Sequence, residues 1–233
     1  MGINKNNLKF FIIILHIIYN IIYNIMIFTF GDSHSRFGFN DISNIRINEL
    51  GARLCYTFGN LKLEILNIKN YDVKENDIVI FCFGEIDCRA HIYKLVNENT
   101  SYEQIIDSIT YNYFEAVKKN VEQYKNIKTI IYNVVPPSDV SLIHTKEEIQ
   151  NKVLVKHKTE LPWKGSNEER MKYHLYFNKK IKDLCIKNNY IFMDVYDRYC
   201  DSNGFLKREL SDYNVHIKNS IYIKEFLIEN NLL

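Results

Sequence analysis

The sequence predicts an α/β fold in which helices cover both faces of a parallel sheet. Two observations support this fold class. Short apolar runs with strand character alternate with segments of helical periodicity from residue 25 to the end of the chain, as in successive βαβ units. Residues 77–83 also form an almost continuous apolar run, as expected for a strand that is covered on both faces. At 233 residues, the chain is long enough to bury a substantial core.

The first predicted strand covers residues 25–30 and stops abruptly at Gly31. Asp32, Ser33 and His34 follow at once. A buried strand that ends in this way delivers polar side chains to the carboxyl edge of the sheet. In open α/β sheets, ligands and catalytic groups lie at that edge.

Four further strands are predicted along the chain. Residues 61–68 alternate apolar and polar side chains, which predicts the second strand. The run at 77–83 is the third strand. Residues 128–135 form the fourth strand, which two prolines stop, and residues 190–195 form the fifth.

Helices are predicted between these strands. Residues 102–124 carry apolar side chains at helical spacing. Ser166 and Glu169 have the spacing of a capping box, which predicts a helix that begins there and ends near residue 187. The last helix is expected to begin near Ser220.

Residues 138–165 show no clean period and separate the fourth strand from the helix that follows. A stretch of this length is more often a lid or a binding loop than an idle connection. It contains the single tryptophan of the chain, Trp163. We expect this side chain either to cover the site or to fill the loop.

Composition and charge exclude some classes of partner. Hydrophobic residues make up 46% of the chain and charged residues 25%, as in globular proteins. The net charge is only +2, and the lysines are interspersed with acidic residues. This charge is too small to indicate a nucleic-acid partner.

Residues 1–24 form a hydrophobic N-terminal extension. Two lysines precede an apolar run, as in a signal peptide or a signal anchor. Without the strand at 25–30, the run has about 15 apolar-rich positions, which is short of the ~20 that a spanning helix needs. We therefore expect a dispensable extension or a non-native start, followed by a single domain at 25–233 in the cytoplasm. Membrane anchoring or secretion through residues 8–24 is the alternative, and membrane contact is expected only if the extension is real.

Polar side chains lie near or directly after the ends of four of the predicted strands. They are Asp32, Ser33, His34 and Ser35 after the first strand, Glu85, Asp87, Arg89 and His91 after the third, Asn133 in the fourth, and Asp194 in the fifth. Because the carboxyl ends of parallel strands share one edge of the sheet, we expect these groups to converge. Asp212 and His216 precede the last helix, and their segment can reach the same edge.

Ser33 and His216 have the side chains of a nucleophile and its base. A serine hydroxyl is a weak nucleophile and needs an adjacent base. A neutral histidine can take its proton and later protonate the leaving alcohol, while a carboxylate such as Asp212 fixes the tautomer of the ring. Alternatively, Ser33 only caps a helix, and Ser35 is a rival nucleophile.

These motifs resemble those of the SGNH, or GDSL, hydrolases. Gly31-Asp32-Ser33 is similar to the nucleophile block of that family, and the segment from Asp212 to His216 is similar to its C-terminal block. Residues 84–87 stand where the family has a Gly-x-Asn-Asp block.

The resemblance covers residues 25–233 and carries expectations for the fold and the chemistry. It implies a flavodoxin-like three-layer sandwich with a five-stranded parallel sheet. It also implies Ser33 as the nucleophile of an ester hydrolysis that requires no cofactor and no metal.

The sequence departs from the family pattern at the groups that would hold the oxyanion. Ile86 stands where the family has an asparagine, and no glycine follows the predicted second strand, where Lys69 and Asn70 lie instead. An oxyanion hole needs preorganised donors. The candidates are the backbone N–H of Ser33, the side chain of Asn70, and Arg89.

A second departure concerns Asp212, which precedes His216 by four residues where the family has three. Asp212 can still orient the ring if its loop bulges by one residue. Otherwise Ser33 and His216 act as a dyad, or another carboxylate substitutes.

The remaining polar residues near the predicted site have open roles. Arg89 and His91 are candidates for binding an anionic group of the substrate. Glu85 and Asp87 either contribute to that site or form a buried salt bridge with Arg89. His34 is expected to have a structural role or to contact the substrate.

We therefore expect a serine esterase that acts through an acyl-enzyme on short-chain or O-acetyl esters, for example of a carbohydrate. The expected partner is this small-molecule or carbohydrate ester. Two alternatives stay open: an O-acyltransferase that uses the same serine, and a non-catalytic domain that binds a glycan or a protein.

Overall fold

The computed structural model describes residues 25–141 and 163–233. Five parallel strands form one sheet in the order β2-β1-β3-β4-β5. They are β1 (Ile27–Gly31), β2 (Ile45–Glu49), β3 (Ile78–Cys82), β4 (Lys128–Tyr132) and β5 (Ile191–Met193). This strand order is that of flavodoxin-like sheets. The predicted fold class is therefore confirmed.

Six α-helices accompany the sheet in the described part of the chain. They are α1 (Cys55–Leu61), α2 (Ile92–Leu95), α3 (Tyr102–Val121), α4 (Asn167–Asn188), α5 (Tyr196–Tyr199) and α6 (Ile221–Glu229). The capping box of Ser166 and Glu169 begins α4 as predicted, and Ser101 and Gln104 form a second capping box at α3. In each box, the side chains satisfy backbone N–H groups that have no partner within the helix.

The strands bury both of their faces, because successive side chains along a strand point in opposite directions. Phe28 and Phe30 of β1 pack into a core with α1, α3 and α4. Ile27 of the same strand packs on the other face with Ile223 and Leu227 of α6. Helices therefore cover both faces, which gives the three layers that the sequence predicts.

The second strand is not where the sequence analysis places it. Residues 61–68 contain the end of α1 and a short 3₁₀ turn, Lys62–Glu64. The predicted strand there is wrong because its alternation does not define a buried face: Leu61 and Leu63 are 44% and 39% exposed. The edge strand is instead Ile45–Glu49, which pairs only with β1.

The register of β1 determines where the polar residues that follow this strand lie. Gly31 is opposite Cys82 of β3 on one side and Glu49 of β2 on the other. The connections from the sheet change direction between β1 and β3. Open α/β sheets bind their ligands at such a switch point, outside the carboxyl ends of the strands.

Two predictions fall wholly or largely on residues that the structure does not describe. The N-terminal extension, 1–24, lies outside the described residues, and so does 142–162, the greater part of the predicted binding loop. Among residues 25–141 and 163–233, no helix is both long enough and apolar enough to cross a membrane.

Candidate active site

Ser33 lies in a tight turn directly after β1. The turn depends on Gly31, because a Cβ atom at this position would lie 1.9 Å from the carbonyl oxygen of Cys82. Asp32 then accepts a hydrogen bond from the backbone N–H of His34 and begins the 3₁₀ turn Ser33–Ser35. The side chain of Asp32 is thus a structural cap, whereas Ser33 stays partly exposed at the carboxyl edge.

Ser33, His216 and Asp212 form a continuous hydrogen-bonded chain. Ser33 Oγ lies 2.8 Å from Nε2 of His216, and Nδ1 of His216 lies 2.7 Å from Oδ2 of Asp212. The three residues come from two segments that are about 180 positions apart in sequence. Their arrangement has the geometry of a nucleophile, a base and a residue that orients the base.

The additional residue between Asp212 and His216 is accommodated by a bulge. Tyr213 has a φ of 63°, in the left-handed region that residues other than glycine rarely adopt. Oδ1 of Asp212 accepts the backbone N–H groups of Asn214 and His216, at 2.9 and 3.1 Å. The carboxylate of Asp212 therefore stabilises the bulged loop through its own backbone and also contacts the ring of His216.

The charge of Asp212 is stabilised by the same contacts. Its partial burial would raise the pKa of the carboxyl, but the bond to His216 and the backbone N–H groups outweigh burial and lower the pKa. Asp212 is thus ionised at neutral pH. An ionised carboxylate at Nδ1 keeps the proton of the ring there and leaves Nε2 free to accept the proton of Ser33.

Phe37 is a member of the site that the sequence analysis missed. Its ring stacks on the ring of His216 with centroids 4.0 Å apart and an interplanar angle of 17°. The guanidinium of Arg36 lies over the ring of Phe37, 4.5 Å from the centroid of that ring. The sequence carries no signal for the stack, because it depends on a contact between the nucleophile turn and the C-terminal loop.

Glu85 and Arg89 form a buried ion pair one helical turn apart. Nε of Arg89 donates to Oε1 of Glu85 at 2.7 Å, and both side chains are 5% exposed. Burial would raise the pKa of Glu85, but Arg89 and His34 outweigh it and lower the pKa. Of the two roles predicted for Glu85, the structure shows the salt bridge.

The outer side of Arg89 faces the end of the predicted binding loop. Its guanidinium lies 5.9 Å from the ring centroid of Trp163, and its carbonyl accepts the N–H of Lys164 at 3.0 Å. Trp163 therefore packs beside Arg89, and no described contact joins it to Ser33.

Asp87 and His91 take up positions around α1. The carboxylate of Asp87 accepts the backbone N–H groups of Cys55 and Tyr56, at 2.6 and 3.1 Å, and so caps this helix. Burial raises the pKa of Asp87 to about 7 although these bonds oppose the shift. His91 packs beside the ring of Tyr56, with centroids 4.9 Å apart. Asp87 does not bind Arg89 through any described contact.

Asn70 is not brought to Ser33. It lies exposed in the turn Ile68–Tyr71, which leads towards the amino end of β3. The N–H of Ile68 in this turn is bonded to Asn120, at the C-terminal end of α3. The amino end of the sheet is opposite to the site, and so the structure corrects the placement of Asn70 as an oxyanion donor.

A glycine, Gly51, does follow the observed second strand, although none follows the strand predicted at 61–68. It follows the observed β2 by two residues, and the N–H of its neighbour Leu50 donates to the carbonyl of Gly31 at 2.8 Å. Gly51 has a φ of 72° and lies at the same edge as Ser33. The misplaced second strand explains why the sequence analysis missed it.

His34 is buried behind Ser33, with 4% of its surface exposed. Its ring contacts Asp32 and the carbonyl of Val215, each at 3.0 Å. Burial disfavours the charged ring, but Asp32 and Glu85 outweigh it and raise the pKa of His34 to about 9. Of the predicted roles, these contacts correspond to the structural one.

Ser35, the rival nucleophile, is fully buried and donates its hydroxyl to the carbonyl of Asp32 at 2.8 Å. No histidine contacts it in the described part of the chain. Within residues 25–141 and 163–233, no group of three His, Cys, Asp or Glu side chains could hold a metal ion.

No protein-family model matches the chain, and no curated protein sequence does either. Several solved structures have its fold. A candidate acylhydrolase from Bacteroides fragilis is 14% identical, with a TM-score of 0.57 over 88% of this chain and 86% of its own. A GDSL-like lipase from Bacteroides thetaiotaomicron is 15% identical, with a TM-score of 0.52 over 88% and 87%. An aryl esterase from M. smegmatis is 12% identical, with a TM-score of 0.51 over 90% and 100%.

These similarities confirm the resemblance to the SGNH hydrolases at the level of the fold. At identities of 12 to 15%, they do not transfer an activity, because one fold hosts many functions.

Proposed function

We propose that this protein is a serine ester hydrolase. The observation that carries the proposal is the hydrogen-bonded chain from Ser33 through His216 to Asp212, with contacts of 2.8 and 2.7 Å. A nucleophile and a base within hydrogen-bond reach, with the base oriented by a third group, are the diagnostic signature of nucleophilic catalysis. Ser33 is also partly exposed at the switch point of the sheet, where a substrate has access.

The reaction follows from the positions of these three groups. Nε2 of His216 takes the proton of Ser33 as the oxygen attacks the ester carbonyl, and the tetrahedral intermediate collapses to an acyl-enzyme. The protonated ring gives its proton to the leaving alcohol. Water then attacks the acyl-enzyme with His216 as the base, which releases the acid and restores Ser33.

The backbone supplies the donors that we propose for the oxyanion. The N–H of Ser33 begins its turn and has no acceptor among the described residues. Gly51 lies at the same edge and takes the place of the glycine donor that the family has after its second strand. Arg89 is a weaker candidate, because its Nε is held by Glu85 in a buried pair.

We propose that the substrate is an ester with a short acyl group. The proposed substrate class is the O-acetyl esters of carbohydrates. An open groove of about 900 Å³ lies at the opposite, amino edge of the sheet, lined by Ile25 and Tyr190 among others. The cavities near the site have volumes of only about 40 and 10 Å³. Neither of these two cavities is lined by Ser33 or His216, so the length of the acyl chain is decided by the comparison of esters in the test below.

The test is ester hydrolysis by the full chain. Rates would be measured on p-nitrophenyl esters from acetate to decanoate and on acetylated sugars. Ser33→Ala and His216→Ala are expected to lower the rate by at least ~10³-fold. Ser35→Ala is the matched control, since it removes a neighbouring hydroxyl that no histidine contacts and is expected to keep the rate within a few-fold. A fluorophosphonate probe should label Ser33, as located by mass spectrometry.

The outcome decides between catalysis and binding. If the rate on acetylated sugars exceeds that on longer esters, the proposed substrate class is supported. If the protein hydrolyses no ester faster than Ser33→Ala does and the probe leaves Ser33 unlabelled, the proposal of an esterase is overturned.

A further inference from the structure

His34 joins the two segments that carry the proposed nucleophile and base. Its Nδ1 lies 3.0 Å from Oδ1 of Asp32, the residue directly before Ser33. Its Nε2 lies 3.0 Å from the carbonyl oxygen of Val215, the residue directly before His216. One buried ring thus spans two loops that are 181 residues apart in sequence.

Both partners of the ring are acceptors. A backbone carbonyl can only accept, and Oδ1 of Asp32 already accepts the backbone N–H of His34. A neutral imidazole has one N–H and one lone pair. It would therefore point a lone pair at one of these oxygens. The two contacts are satisfied together only when both ring nitrogens carry a proton.

The charges around His34 suit this cationic state. Asp32 faces the ring from its own turn, and Glu85 faces it from the segment after β3. His174 of α4 is also near, but burial lowers its pKa to about 4, so that it is neutral. The ring of His216 lies 5.0 Å away, centroid to centroid. Two carboxylates therefore face one buried imidazolium.

Besides the stack of Phe37 on His216, few polar contacts hold the C-terminal loop against the nucleophile turn. Ser211 and Ile217 pair with each other within the loop. Ser138 donates to the carbonyl of Asn214, which ties the loop to the segment after β4. Among the described hydrogen bonds, only those of His34 to Val215 and of Ser33 to His216 connect the loop with the turn after β1.

We propose that His34 is a positioning residue, whose doubly bonded ring fixes the loop of His216 over Ser33 and so sets the distance between the nucleophile and its base. This inference rests on the proposed function, because the positioned pair is the proposed catalytic pair. Among the described hydrogen bonds of His34, none goes to the hydroxyl of Ser33. Its effect passes through Asp32 and Val215.

The proposal predicts that the acylation of Ser33 slows at alkaline pH. When the ring loses a proton, at a pH near 9, one of its two bonds becomes a contact between two acceptors. When the proton lost is the one on Nε2, the bond to Val215 is broken, and the loop keeps only the hydrogen bond between His216 and Ser33 to the nucleophile turn. The rate at which Ser33 is acylated should fall on the alkaline side with a midpoint near pH 9.

The first arm of the test measures the acylation of Ser33 by a fluorophosphonate from pH 6 to pH 10.5. His34→Leu removes both bonds and is expected to react ~10- to 100-fold more slowly at pH 8. His34→Gln keeps a neutral donor for Val215 and is expected to stay within ~10-fold of the wild type at pH 8, without the fall near pH 9. His174→Leu is the control, since it removes another buried histidine that does not link the two loops. It is expected to keep the fall near pH 9.

The second arm does not depend on activity. Nitrogen NMR of the full chain at pH 8 should show both ring nitrogens of His34 protonated. The downfield proton between His216 and Asp212 should broaden in His34→Leu and persist in His174→Leu. A neutral His34 at pH 8, an unchanged His216 signal in His34→Leu, or an alkaline limb that survives in His34→Gln would each overturn the proposal. An inert Ser33 in the wild type would overturn the proposed function alone.

Discussion

Asp212 binds Nδ1 of His216 across four residues of sequence, with 2.7 Å between the carboxylate oxygen and the ring nitrogen. The loop makes this contact because Tyr213, directly after the aspartate, adopts a left-handed conformation with a φ of 63°. The bulge thus compensates for an insertion of one residue relative to the family pattern. The spacing alone did not decide whether Asp212 or another carboxylate would orient the ring.

The bulge predicts an unusual order of tolerance at position 213. Tyr213→Gly should keep at least about half of the activity, because glycine adopts positive φ without steric cost. Tyr213→Ile should lose stability by about 1–3 kcal/mol, since a β-branched side chain is strained in this region. Urea unfolding and ester hydrolysis of both variants test this order. A Tyr213→Ile protein as stable and active as Tyr213→Gly would contradict the role of the bulge.

Asp212→Asn should lower kcat by ~10³–10⁴-fold with little change in KM. An amide can donate a hydrogen bond to Nδ1, which favours the wrong tautomer and removes the lone pair of Nε2 that faces Ser33. Asp194→Asn is the matched control, because Asp194 also follows a strand but forms an exposed pair with Lys182. Steady-state kinetics on a short ester would measure both. Equal kcat values for the two variants would show that Asp212 does not orient the base.

The free energy of unfolding should depend on pH through His34. The pKa of this ring rises from 6.5 to about 9 on folding. A raised pKa stabilises the protein below pH 6.5, and the contribution is lost as the pH rises through about 9. The loss amounts to up to about 3 kcal/mol.

Urea unfolding of the wild type and of His34→Gln between pH 6 and pH 10 tests this dependence. The slope between pH 6.5 and pH 9 should be smaller in the variant. Asp87 acts in the same direction in a lower window, because its pKa rises from 3.8 to about 7, and its contribution should persist in His34→Gln. Parallel curves for the two proteins from pH 6.5 to pH 9 would refute the assignment to His34.

The buried pair of Glu85 and Arg89 should respond differently to single and double replacement. Arg89→Met leaves a buried carboxylate without its partner and should cost about 3–5 kcal/mol. Combining it with Glu85→Gln should recover part of this loss. Lys179→Met is the control, since the pair of Lys179 and Asp183 is exposed and its loss should cost at most about 1 kcal/mol. Chemical denaturation of the four proteins provides the comparison, and a double variant less stable than Arg89→Met would contradict it.

Gly31→Ala should prevent stable folding or cost more than about 3 kcal/mol, because the new Cβ would overlap the backbone of Cys82, which cannot move without breaking the sheet. Gly51→Ala meets no atom within 4 Å and should cost only about 1 kcal/mol, for its positive φ. The yield of soluble protein and its thermal unfolding distinguish the two. Similar stabilities would show that β1 and β3 can separate at this point.

The sequence predicted the elements whose signals are local. A continuous apolar run marked β3, since a strand buried on both faces needs apolar side chains at successive positions. The capping box of Ser166 and Glu169 marked the start of α4. The edge strand β2 was not predicted, because Ile45–Glu49 is half-exposed and its hydrophobic pattern is weak. That error also hid Gly51 and placed an oxyanion donor at Asn70.

The sequence by itself determined the fold class and brought Ser33 and His216 to the same edge, because the order of strands and helices in an α/β chain limits the topologies available to it. It left the contacts of Asp212 and His34 open. Only the tertiary structure decided these, since each depends on the exact path of a loop and on contacts between residues far apart in the chain. A hydrogen bond requires an accuracy of a few tenths of an ångström, which packing provides and residue spacing does not.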